Sequence, residues 1–96
     1  MDDHIFLVAY DISDEKRWRQ IWRIMKGHGE WIQYSVFQCR LSRRRHAELI
    51  AKLDETIHHT EDHVIIIDLG RSEQVTLQVI SLGKEFQVVK SGPKIV

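Results

Sequence analysis

Ile5-Phe6-Leu7-Val8-Ala9-Tyr10 is an unbroken apolar run that halts at an acid, Asp11. A short continuous run of this kind predicts a strand from about His4 to Tyr10, covered on at least one face. Beyond Ser13 the period changes. Trp18, Ile21, Trp22 and Met25 recur at i, i+3, i+4 and i+7, which predicts a helix from about Asp14 to Lys26 with that stripe buried. Ser13 or Asp14 supplies the N-cap, and Gly27 and Gly29 end the helix. Trp31 to Leu41 is rich in strand formers, but its eleven residues are long for one strand. The segment either bends or splits into two pairing strands near Tyr34 and Ser35, and it carries no Gly or Asn-Gly signal that would decide. Ser42 caps a second helix to about His58, with Ala47, Ile50, Leu53 and Ile57 on one face. His63 to Leu69 reads as another strand, stopped by Gly70. Val75, Leu77 and Val79 alternate with polar residues and predict a further strand, and Phe86 to Val89 a last short one.

Two helices cover only one face of such a sheet. The expected architecture is therefore α+β, a two-layer ferredoxin-like split βαβ sandwich (βαββαβ) with an extra C-terminal strand. The uncovered face predicts a two-fold dimer through the sheet faces. Residues 1–96 form one domain, and 71–96 are expected to hold a strand segment exchanged with the partner's edge.

Composition narrows the function classes. A hydrophobic content of 43% with 29% charged residues fits a globular domain. No apolar run approaches the ~20 residues that span a bilayer, and Met1-Asp2-Asp3-His4 is acidic where a signal peptide would be basic. A single cysteine, Cys39, excludes an intrachain disulfide. A cytoplasmic location is expected, with no membrane partner.

The net charge of zero conceals a polarised chain. Residues 16–47 carry nine of the fourteen basic residues and only one acid, Glu30. Such a segment can fold into a basic face that meets a polyanion, or into scattered solvated charges.

Asp11 reads in two ways: as a metal-binding carboxylate at a strand tip, or as a helix-entry aspartate in a turn with Ser13. Arg17, Arg19 and Arg23 follow it, and Arg43, Arg44 and Arg45 open the second helix, where they oppose the macrodipole. Guanidinium groups of this kind suit phosphate. Tyr34 and Phe37 could stack on bases where exposed, although Phe37 on a strand is expected to pack in the core. His58, His59 and His63 with Asp62 match no recognised zinc spacing, and Cys39 reads as a small buried residue. No glycine-rich phosphate loop is present. His4 is a remote candidate for a general base.

Val8-Ala9-Tyr10-Asp11-Ile12-Ser13, Gly29 and Gln33-Tyr34-Ser35-Val36-Phe37-Gln38-Cys39 together resemble the CRISPR-associated protein 2 family, and His63 to Gly70 fits its later strand. The resemblance covers most of residues 4–70. It implies a ferredoxin-like homodimer with exchanged C-terminal strands. It also implies a Mg²⁺-dependent (or Mn²⁺-dependent) endonuclease that cleaves single-stranded RNA or double-stranded DNA. The family's other implied role is in CRISPR spacer acquisition, beside the integrase subunit, CRISPR-associated protein 1. Asp11 matches the metal-binding and catalytic aspartate. Arg17, Arg19, Ser35 and Phe37 match the substrate-handling region, and Arg23, Arg40, Arg43 and Arg44 join them as expected nucleic-acid contacts. Where relatives often carry glutamate after the phenylalanine, this chain has Gln38. The alternative is a non-catalytic dimeric scaffold that bridges integrase subunits and binds duplex DNA.

Overall fold

Alternation along the first strand, β1 (His4–Asp11), sorts the chain into two layers. Phe6, Val8 and Tyr10 are buried, while the intervening residues face the other way. The computed structural model describes residues 2–83. In order follow α1 (Glu15–Lys26), β2 (Glu30–Gln33), β3 (Val36–Leu41), α2 (Arg43–Thr56), β4 (His63–Arg71) and a 3-10 turn at Ser72–Gln74. The sheet runs β2-β3-β1-β4, with every neighbouring pair antiparallel. This is the expected ferredoxin-like α+β sandwich.

Both helices lie on the face that carries Phe6, Val8, Tyr10, Phe37, Cys39 and Leu41, and these side chains enclose the core with Ile21, Met25, Leu49 and Leu53. Asp14 caps α1 by accepting the Arg17 N–H at 2.9 Å, and Ser42 caps α2 by accepting that of Arg45 at 3.2 Å. The buried stripe of α2 runs through Leu49 and Leu53, whereas Ala47 and Ile50 stay exposed. The expected stripe was displaced because the helix turns its two bulky leucines, an i, i+4 pair, toward the sheet. Gly29 passes so close to β3 that an added Cβ would lie 2.4 Å from the Gln38 carbonyl oxygen and 2.5 Å from the Cys39 sulfur.

The strand expected from Val75 to Val79 does not form within this chain. Residues 75–83 have no sheet partner, and Ile80 and Leu82 are nearly fully exposed. β2 and β4 are the sheet's edges, and the chain leaves β4 through the 3-10 turn at Ser72–Gln74 without pairing with β4's outer edge, which stays open among the described residues. The expected Phe86–Val89 strand lies outside the described residues.

Candidate active site at the end of the first strand

Asp11 ends β1 on the face opposite the helices. Its direct cross-strand partner is His63, the first residue of β4. Opposed residues share a sheet face, with Cβ atoms about 4.5–5.5 Å apart. The two side chains, with Ala9, Tyr10 and Ile65, line a shallow depression of about 150 Å³. The surrounding face is apolar: Ala9 pairs with Ile65, and Leu7 with Ile67. Among the described residues no ion pair takes the Asp11 carboxylate.

The turn after Asp11 is held from below by a different acid. Asp62 accepts the backbone N–H of Ser13 at 3.0 Å and that of His58 at 2.7 Å, and the Arg17 Nε–H at 2.8 Å. Arg17 also donates to Ser13 Oγ at 3.2 Å and to Glu61 at 3.3 Å. The Asp62 side chain has no solvent-exposed surface, and 23% of the Arg17 side chain remains exposed. The Arg17 guanidinium, assisted by the two backbone N–H groups, holds the Asp62 carboxyl far below the usual carboxylate range. Helix α1 and the α2–β4 connection are thereby stapled to the turn that carries Asp11.

The β2–β3 hairpin turn lies beside the end of β1. Gln33 pairs with Val36, which leaves Tyr34 and Ser35 as a two-residue turn. The Tyr10 N–H donates to the Ser35 carbonyl at 3.1 Å, so the turn abuts the residue beside Asp11. Tyr34 is 82% exposed and holds φ at +45°, the left-handed region. The Trp31 Nε1–H donates to its carbonyl at 2.7 Å and fixes that conformation.

Comparison with known proteins identifies this arrangement. Residues 4–76 match the family described as CRISPR associated protein Cas2. The chain belongs to the Cas2 family. It is 47% identical to a CRISPR-associated endoribonuclease Cas2 of Rhodospirillum rubrum, over 98% of this chain and 92% of that protein. It is 46% identical to a CRISPR-associated endoribonuclease Cas2 of Geobacter sulfurreducens, over 91% of this chain and 92% of that one. A crystal structure of a hypothetical protein from Thermus thermophilus superposes with a TM-score of 0.73 at 26% identity, covering 88% of this chain and 99% of that one. A Streptococcus pyogenes Cas2 shares the fold, with a TM-score of 0.67 at 24% identity over 80% of this chain and 99% of its own.

Within this Cas2 fold the expected site residues separate into groups. Asp11 lies beside the turn held by the Arg17 staple, whereas the Ser35 hydroxyl accepts the Trp18 Nε1–H at 3.5 Å on the helix side of the sheet. Arg19 projects from α1 and pairs with Glu15 on the same helix; Arg23 is exposed in the last turn of α1. Arg40 pairs with Asp3, and Arg44 with Glu48. Arg40, Arg43 and Arg44 sit at the opposite end of the sheet, because β3 runs antiparallel to β1 and Leu41 pairs with His4. Phe37 is fully buried, with Trp22 edge-on to it, so its ring packs the core and has no face free for a base. Its strand position, alternating with exposed Arg40, turns it inward.

His4 is excluded as a base for Asp11: it starts the strand that Asp11 ends, seven residues or about 23 Å away. Burial pushes the Tyr10 phenol and the Cys39 thiol each up to about 12, which keeps both protonated and unreactive. Three residues escaped the sequence reading as partners of Asp11. His63 needed the β1–β4 register, Asp62 needed the fold of the α2–β4 connection, and Tyr34 needed the turn geometry.

Among the described residues no three His, Cys, Asp or Glu side chains converge on one point. One chain offers a divalent ion the Asp11 carboxylate alone, part of a ligand set, with the His63 imidazole beside it. No helix among the described residues is long and apolar enough to cross a membrane.

Proposed function

We propose that the chain is a Mg²⁺-dependent endonuclease that cleaves single-stranded RNA within the CRISPR response, and that it acts as a dimer paired through the open sheet face. The observation that carries the reading is Asp11 itself: an exposed carboxylate without an ion-pair partner among the described residues, at a strand end and cross-strand from His63. The endoribonuclease names of the Rhodospirillum and Geobacter relatives support the substrate class.

The open face supports the dimer. Ile65 and Ile67 are each 46% exposed beside Leu7 and Ala9, an apolar surface that water disfavours. A second copy laid across it would bring two Asp11 carboxylates to one axis and complete the ligand set. Residues 75–83, apolar and without a sheet partner, would pair with the partner's edge.

Bound Mg²⁺ supplies a polarised water and charge stabilisation at the phosphorus centre. Asp11 holds the ion's position through a carboxylate oxygen, and a hard oxygen donor is what such an ion prefers. The His63 imidazole takes the proton of the attacking oxygen at a ring nitrogen. Tyr34 offers its ring to the base next to the scissile phosphate. The Arg17–Asp62 staple keeps the Asp11 turn fixed and excludes Arg17 from direct phosphate contact.

Asp11→Asn tests the reading. It keeps the shape and removes the charge, so Mg²⁺-dependent cleavage of a single-stranded RNA should fall at least ~100-fold with thermal stability unchanged. Full cleavage by the variant refutes the nuclease assignment. The scaffold reading, with an integrase partner and duplex DNA, draws support from the exposed basic residues Arg40, Arg43 and Arg44 remote from Asp11. It predicts spacer acquisition in cells that survives Asp11→Asn and fails when those three arginines become alanine.

A further inference from the structure

At the far end of β1 lies a second cleft, of about 460 Å³, lined by Asp2, His4, Arg43, His46 and Asp68. Nothing in the Asp11 chemistry uses it. The His4 Nδ1–H donates to the two Asp68 carboxylate oxygens at 2.9 and 3.0 Å, which orients the ring and leaves Nε2, a donor only in the charged ring, free of that pair. The His46 ring lies flat on Phe6, centroids 4.1 Å apart and planes 10° off parallel, so it too is held in one orientation. Arg43 stands one turn before His46 on α2 and makes no ion pair among the described residues.

Both carboxylates of the cleft are already engaged. Asp68 faces His4 and accepts the Gly70 N–H at 2.9 Å, which holds it below the ordinary carboxylate range. Asp2 lies 3.2 Å from the Arg71 guanidinium, which Glu73 also contacts. With both imidazoles neutral, the three acids outnumber Arg43 and Arg71 by one. With both charged, cations outnumber acids by one. The donors left over are a guanidinium fork and two oriented imidazoles around a space wide enough for a tetrahedral anion.

We propose that this cleft binds a phosphate monoester, with Arg43, His46 and His4 Nε2 as its donors, in a site separate from the Asp11 centre. The dianion of a monoester matches three converging donors better than the singly charged, doubly esterified phosphates within a strand. The group could arrive as the 5′-phosphate of a nucleic-acid end or as a free nucleotide or inorganic phosphate.

The test is a histidine-detected NMR titration of the whole protein with inorganic phosphate, run at constant ionic strength against chloride. The expected result is saturable shifts of the His4 and His46 ring signals. Arg43→Ala should weaken binding about tenfold or more, and Asp11→Asn should leave it unchanged. A matched pair of oligonucleotides, with and without a 5′-phosphate, separates the sources. Preference for the phosphorylated strand assigns the site to strand ends, and response to inorganic phosphate alone assigns it to small phosphates. If neither histidine shifts beyond the chloride control, or if Arg43→Ala has no effect, the site does not exist.

Discussion

Replacing Tyr34 by glycine should make the protein more stable and its substrate grip weaker. Tyr34 occupies the first position of a two-residue hairpin turn with φ at +45°, where glycine is the residue without a Cβ penalty. A non-glycine residue in that region costs about 1–2 kcal/mol. Glycine removes the cost but adds about 0.5–1 kcal/mol of chain entropy to lose on folding. The ring itself is 82% exposed and stabilises little. The net gain is about 0.5–1 kcal/mol, or a rise of a few degrees in Tm for a domain of this size. The Trp31 bond to the Tyr34 carbonyl survives, because it uses the main chain. Against this, the proposed stacking role has one base lose its platform, worth about 1–3 kcal/mol, or roughly 5- to 150-fold in affinity.

Two assays on one sample decide the matter: thermal unfolding followed by circular dichroism at fixed protein concentration, and anisotropy of a labelled single-stranded RNA. Tyr34→Phe keeps the ring and should match the parent in both. A glycine variant that melts lower refutes the strain argument. One that binds RNA as tightly as the parent refutes the stacking role, whatever its stability. A surface tyrosine of no function would move the first measurement alone.

Other variants probe the framework around the site. Gly29→Ala places a methyl against the Gln38 carbonyl and the Cys39 sulfur and should cost about 1–3 kcal/mol in chemical denaturation; unchanged stability would show that the α1–β2 connection yields there without strain. Phe37→Ala should cost about 3–5 kcal/mol, while Phe37→Leu should leave RNA affinity intact, since the ring touches only protein. Asp62→Asn should flatten the acid limb of the stability profile. The native Asp62 carboxyl is depressed, so its contribution is complete above the ordinary aspartate range near pH 4 and is lost as pH falls below it. A variant whose acid limb overlays the parent's would remove Asp62 from the staple.

The order of elements was legible because each rested on a local period: the apolar run of β1, the i, i+3, i+4, i+7 stripe of α1, and the Asp14 and Ser42 caps. Local sequence does not decide the split of residues 31–41, for a physical reason. Its turn violates the usual rule by using tyrosine where glycine is expected, and the strain is held by a tryptophan hydrogen bond that no local pattern announces. Asp11 stood out as a polar end to an apolar strand. His63 did not, since fifty-two residues separate the two and only the antiparallel register joins them. The strand expected at 75–79 has real alternation, but alternation specifies a side-chain pattern and not a partner edge.

The basic segment shows where charge counting stops being a guide to binding. Its arginines are not equivalent, because their carboxylate partners differ in burial. Arg19 pairs with Glu15 in the open, as Arg44 does with Glu48, and exposed pairs of that kind are worth about 0–1 kcal/mol. An arriving phosphate can replace such a partner at little cost. Arg17 faces a carboxylate that is enclosed and also holds two backbone N–H groups, so withdrawing the guanidinium would strand that acid. Of Arg17 and Arg19, Arg19 is therefore the one free to exchange its partner for a phosphate, while Arg17 is held to the turn it fixes. Arg19→Ala should accordingly weaken RNA binding and make its salt dependence shallower without lowering Tm, whereas Arg17→Ala should lower Tm first; equal loss of stability in both would show that the two ion pairs do not differ as their burial says.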